Sequence, residues 1–199
     1  MTLCVETSPY QYSCAAGCRL AHRKSLGTSR HLEMRAVTKT SCFPFNFGLG
    51  NEEKKMNINI FKNSVHSSFL SPDTSTDWFK KRDLKFGNFF EKVEETRICK
   101  LENFVKKNKI DSIDLLKIDT QGFEDQVLQG SKQMILDQNI NLIELEIIFG
   151  KRYSKQLSFF EIEKHLHNNY KLIAIDKATN IIDNNAYSVN CLYLRNNKE

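Results

Sequence analysis

The sequence predicts an α/β fold built on an open, mostly parallel sheet, and three observations carry that prediction. Strand and helix patterns alternate from residue 101 to residue 175. Ile113-Asp114-Leu115-Leu116-Lys117-Ile118-Asp119 is a near-continuous apolar run, as expected of a strand buried on both faces. The last two strand patterns, 170–175 and 188–194, have no helical pattern between them. Strand–helix–strand–helix–strand followed by a closing strand is the second half of an open α/β sheet, with helices covering both faces.

Composition bounds the remaining possibilities. The 199 residues suit one domain, and 40% hydrophobic residues with 14 Phe supply a core, which excludes wholesale disorder. No apolar run approaches the roughly 20 residues of a membrane span, and the N-terminus has no apolar signal core. Six Cys are too few for a disulfide scaffold, so a reducing, cytoplasmic setting is expected.

The net charge of +5 is uneven. Residues 1–42 carry Arg19, Arg23, Lys24, Arg30, Arg35 and Lys39 against Glu6 and Glu33, and they hold four of the six Cys. This segment reads either as a basic nucleic-acid arm or, preferably, as a divergent first portion of the fold. The domain organisation is therefore 1–42 as a distinct N-terminal segment and 43–199 as the main α/β domain.

The elements follow in order. Cys42–Phe47 is aromatic and apolar, reads as a buried strand, and is stopped by Gly48-Leu49-Gly50. Met56, Ile58 and Ile60 alternate with polar residues at period two, a half-buried strand. Residues 50–53 read as a hairpin between these two strands. Residues 71–90 are polar and turn-rich but hold Trp78, Phe79, Phe86, Phe89 and Phe90. They form either a lid over a substrate pocket or, preferably, a loop anchored to the core by its rings.

Leu101, Phe104 and Val105 mark a short helix ending near Asn108. After the 113–119 strand, Thr120-Gln121-Gly122 is a turn. Val127, Leu128, Ser131, Met134 and Ile135 trace one helix face. Leu142–Phe149 is the next strand. Ser158 and Glu161 form a capping box for a helix with Phe159, Ile162 and Leu166 on its apolar face.

In open α/β sheets the ligand lies beyond the carboxyl ends of the strands. Lys117 and Asp119 stand there, two apart and therefore on one face. An unpaired ammonium among Ile and Leu is costly, so Asp119 is the expected partner of Lys117. Gly122 permits a sharp turn, and Glu124 opens the next helix. Glu144 and Glu146 share a face of the following strand and can serve as base and orienter, with a metal role disfavoured by ligand count. Cys14, Cys18 and His22 recur every four residues, but three ligands up one straight helix do not converge on a tetrahedral ion, so no metal site is expected. Gly48-Leu49-Gly50 is followed by Glu53, which fails the dinucleotide fingerprint. Basic residues among aromatics at 78–86 are a weak signal for single-stranded nucleic acid.

The stretch Ile113–Glu124 with Val127-Leu128-Gln129-Gly130-Ser131 resembles the signature of the FkbM-type methyltransferases, a branch of the class I S-adenosylmethionine-dependent enzymes. Phe47-Gly48-Leu49-Gly50, Ser67-Ser68 and Tyr187–Arg195 resemble further family stretches in the right order. The resemblance implies a Rossmann-like class I sheet, S-adenosylmethionine as cofactor, and methyl transfer to a hydroxyl of a glycan or secondary metabolite. It implies that Glu6 binds ribose, that Leu49 and Gly50 lie near adenine, and that Asp119 sits under the reacting centre. Lys117, Asp119 and Glu124 are the expected catalytic group, and Trp78 and Glu146 the expected acceptor contacts.

Class I sheets begin with a strand ending in Asp-x-Gly-x-x-x-Gly, and no such stretch occurs here. Leu3–Pro9 fits the family's second strand, so the sheet is expected to lack its first strand and glycine-rich loop, leaving inner strand edges bare. An inactive remnant without cofactor binding is the alternative reading, and a basic nucleic-acid module the third.

Overall fold

The computed structural model describes residues 2–6, 45–176, 181–182, 185–186 and 188–197. In chain order the strands are β1 (Thr2–Glu6), β2 (Gly48–Leu49), β3 (Lys54–Phe61), β4 (Phe90–Cys99), β5 (Ile113–Asp119), β6 (Ile140–Ile148), β7 (Tyr170–Ile175), β8 (Ile181–Ile182), β9 (Asn185–Ala186) and β10 (Ser188–Arg195). The helices are α1 (Asp77–Phe86), α2 (Leu101–Lys107), α3 (Glu124–Gln129), α4 (Lys132–Leu136) and α5 (Phe159–Glu163). The expected N-terminal helix with Cys14, Cys18 and His22 lies outside the described residues.

The main sheet has the order β1-β5-β6-β10-β7. β1, β5 and β6 run parallel, and β10 runs antiparallel between β6 and β7. β1 pairs directly with β5, Thr2 opposite Leu115 and Glu6 opposite Asp119. The expectation of a bare edge on β5 is thus corrected: five residues of β1 satisfy its backbone groups in the place the resemblance reserves for a first strand.

Period two divides the sheet into two faces. Leu116, Ile118, Ile143 and Leu145 are completely buried and join a core with Leu101, Val127, Leu128, Ile135 and Ile162 from α2 to α5. The alternate residues Lys117, Asp119, Glu144 and Glu146 are only partly buried. Among the described residues, then, α2–α5 contribute to the core on one face of β5, and Leu115, Lys117 and Asp119 on its other face are partly buried.

A smaller sheet, β2-β4-β3, adds Leu49, Ile58, Ile60 and Ile98 to the same core. β2 is parallel to β4, and β3 is antiparallel to it, so residues 50–53 do not close the expected hairpin. Of the strand expected at Cys42–Phe47, residues 42–44 lie outside the described residues; Phe45–Phe47 are not in a strand, β2 follows at Gly48–Leu49, and Phe45 is half exposed and packed edge-on to Phe104. The 71–90 stretch contains α1, started by the Thr76 hydroxyl accepting the Phe79 amide. Its aromatic residues fall inward. Trp78, Phe61, Phe89, Ile148 and Tyr153 form a second cluster, with Phe79, Phe86 and Phe90 against it. The anchored reading of this stretch is the one observed.

The helix expected over Val127–Ile135 is two short helices. Gly130 breaks it because the chain packs there against the Gly50 carbonyl: a Cβ on Gly130 would stand 1.9 Å from that oxygen. α5 starts as expected, with the Ser158 amide donating to the Glu161 carboxylate at 2.8 Å.

Candidate active site at the carboxyl ends of β5 and β6

Strand register builds the site. Lys117 pairs across to Glu144, and one residue beyond the Ile118–Leu145 pair the chain brings Asp119 beside Glu146. Glu6 occupies the position next to Asp119 on one side, and Asn190 the position next to Glu146 on the other. Acidic residues therefore stand on three adjacent strands at one level of the sheet. Like charges side by side across strands are destabilising, so the arrangement needs hydrogen-bond donors or a ligand to hold it.

Gln121 supplies two donors. It is 6% exposed, and its Nε2 donates to Asp119 Oδ1 at 3.0 Å and to Glu146 Oε2 at 2.6 Å. Burial first, and the Asp119 carboxylate beside it second, push the Glu146 carboxyl well above the usual range, while the Arg152 guanidinium pulls it back.

The turn that delivers Gln121 is built from short polar contacts. Gln121 has φ +54° and Gly122 φ +95°, both left-handed. Ser68, buried like its neighbour Ser67, donates its Oγ hydrogen to the Gln121 carbonyl at 2.8 Å. Glu124, 4% exposed, turns back beneath the turn and accepts from the Thr120 and Gly122 amides at 3.0 and 3.2 Å. Burial lifts its carboxyl to about 7 against the pull of those amides.

The predicted site residues are thus sorted. Asp119 and Glu146 come together. Lys117 does not pair with Asp119; its Nζ meets Glu144 Oε1 at 2.8 Å, because side chains directly across a strand pair lie closer than those two apart on one strand. Glu124 lies under the turn rather than in the open. Trp78 is 6% exposed, with the Arg82 and Arg152 guanidinium carbons 4.7 and 5.6 Å from its ring centroid, so its ring is part of the aromatic cluster. Leu49 is core, and Gly50 is held by its amide on the Cys99 carbonyl at 2.9 Å. The side chain of Glu6 lies outside the described residues. Among the described residues no three His, Cys, Asp or Glu side chains gather as metal ligands.

The structure adds residues that sequence reading passed over. Tyr153, fully buried, donates its hydroxyl to the His66 carbonyl at 2.7 Å and lies 3.4 Å from Gln121 Oε1. His66 is held neutral, its pKa pushed down to about 3 by burial first and then by Arg82 and Arg152. Gln121 stood inside the recognised turn motif, which was the one signal available for it. Nothing local marked Tyr153 or His66.

The family model for the methyltransferase FkbM domain matches residues 10–172, most of the chain. The chain belongs to the FkbM methyltransferase family. No curated protein and no solved structure matches it. The FkbM signature therefore coincides with the β5 strand, the Gln121 turn and the Gly130 contact just described.

The donor set can be tested against the cofactor this family implies. A ribose presents hydroxyl donors, and Asp119, at the carboxyl end of β5 with Glu6 opposite it in the backbone register, is an acceptor of the matching kind. That chemistry fits. Leu49 and Gly50 offer a buried apolar wall and backbone only. In this FkbM chain no helix among the described residues is long and apolar enough to cross a membrane.

Proposed function

We propose that this FkbM domain transfers a methyl group from S-adenosylmethionine to a hydroxyl oxygen, on a glycan or secondary-metabolite acceptor. The observation that carries the reading is the Asp119–Gln121–Glu146 group at the carboxyl ends of two parallel strands. S-adenosylmethionine, when bound, supplies a methyl group on a sulfonium, open to in-line attack. The protein's part is to align the acceptor oxygen and take its proton.

Glu146 is the base in this mechanism. Its carboxyl titrates upward of the ordinary range, so the ionised form is a competent proton acceptor near neutral pH. Asp119, on the same amide, orients the acceptor hydroxyl and, with Glu6, offers acceptors for the ribose hydroxyls. Lys117 neutralises Glu144 next to the pair, which keeps a third negative charge from raising Glu146 further. Glu124 acts through the turn that carries Gln121.

The test has two parts. Calorimetric titration with S-adenosylmethionine is expected to show micromolar binding. No heat of binding would favour the reading without cofactor binding. Transfer of labelled methyl to a panel of hydroxyl acceptors should fall by about 10²- to 10⁴-fold in Asp119→Asn and in Glu146→Gln. Turnover unchanged in either variant removes that residue from the mechanism.

A further inference from the structure

The mechanism needs two carboxylates close together yet available, and strand register sets Asp119 beside Glu146 without separating their charges. We propose that Gln121 is the positioning residue of the site: its side-chain amide holds Asp119 and Glu146 at a fixed spacing and keeps Glu146 ionisable. This rests on the reading of Glu146 as the base and assigns the device that makes it one.

The geometry identifies the amide without ambiguity of orientation. A primary amide nitrogen has two hydrogens, and Nε2 has two carboxylate acceptors, at 3.0 and 2.6 Å. Reversing the amide would set its oxygen against both carboxylates. On the far side, Oε1 faces the ring N–H of His66, whose Nε2 accepts from Arg82, while the Tyr153 hydroxyl at 3.4 Å gives its hydrogen to the His66 carbonyl. Each end of the amide thus meets its complement.

The backbone is committed to the same purpose. Gln121 adopts φ +54°, a left-handed conformation that a long side chain rarely takes. Three contacts hold it there: Ser68 Oγ on its carbonyl, and the Glu124 carboxylate on the Thr120 and Gly122 amides to either side. Buried contacts on both flanks of one strained residue make sense if the direction of its side chain matters.

The charged groups facing Glu146 are Asp119 from β5, Arg152 from the segment after β6, and Glu124 from α3. Asp119 and Glu124 disfavour its ionised form, and Arg152 favours it. Gln121 is the neutral group that donates to both members of the carboxylate pair. A donor favours the ionised carboxylate, so its loss drives the Glu146 pKa further up.

The test reads that titration directly. The full chain is labelled with ¹³C at glutamate carboxyls, and the Glu146 resonance is assigned by its loss in Glu146→Gln. In Gln121→Met, which keeps length and removes both donors, the Glu146 midpoint should rise by about one unit. Gln121→Asn keeps an amide too short to span both carboxylates, so it should give a smaller rise and remains readable if the Met variant does not fold. An unchanged Glu146 midpoint in a folded variant overturns the proposal, because a merely structural Gln121 would leave it in place. The titration needs no cofactor or acceptor, so the proposal can fail while S-adenosylmethionine binding stands, and the reverse.

Discussion

The two faces of the β5–β6 pair differ sharply, although they are built from alternate residues of the same strands. On one face Leu116, Ile118, Ile143 and Leu145 are 0% exposed and touch helices. On the other, Lys117 and Glu144 keep 17% and 30% of their side-chain surface, and Asp119 and Glu146 stand beside them. One face does the work of stability and the other carries the groups able to do chemistry. Side-chain alternation lets each be set without disturbing the other. Three changes, in order of expected size, can break or sharpen that division.

The largest effect belongs to the apolar face. Leu145→Ala should lower unfolding free energy by about 2–5 kcal/mol in urea denaturation, through lost burial and the cavity left behind. A loss below about 1 kcal/mol would mean that this face is not the core the contacts describe.

Lys117→Met comes second. It leaves the partly buried Glu144 carboxylate without its cross-strand cation, which should cost about 1–2 kcal/mol. The double variant Lys117→Met/Glu144→Leu should recover most of that loss, since a well-packed apolar pair can replace an ion pair. If the double variant is worse than the single, the polar face contributes more to stability than the division allows.

The smallest effect is a slope with pH. Glu124 has a folded pKa of about 7, above its ordinary value, and Glu146 shifts the same way. The native state therefore holds more protons than the unfolded chain between the ordinary carboxylate range and about pH 7. The stability these groups contribute is fully present below that range and is lost as pH rises through it. His66, pushed down to about 3, works in the opposite sense below about pH 6.5, where only the unfolded chain takes up its proton. Two carboxylates against one imidazole leave a net decline from pH 5 to about 7. Denaturation at half-unit steps should show it, and Glu124→Gln should make it shallower. A rise over that window would refute the buried-acid reading.

Much of this was legible in the sequence. Period two placed Lys117 with Asp119 and Glu144 with Glu146 on shared faces, and Gly122 marked the turn. The FkbM stretch located the site. The capping box at Ser158 was readable because both partners lie within one turn. What was not legible depended on distance along the chain. α1 was hidden because its rings face an aromatic cluster assembled from β3, β4, β6 and Tyr153, which no local pattern reveals. The break at Gly130 depends on the Gly50 carbonyl, 80 residues earlier in the sequence.

By itself, then, the sequence determined the alternation of faces, the family and the turn that carries the candidate acids, because each follows from spacing within a dozen or so residues. Tertiary structure alone decided the partners. Strand register gave Lys117 to Glu144 rather than to Asp119, and set β1 against β5. The left-handed backbone at Gln121 swung its amide between two carboxylates, with Tyr153 and His66 behind it. Hydrogen bonds and ion pairs act over about 3 Å, so they are chosen by which strands lie side by side, and that choice is made by the burial of the opposite face.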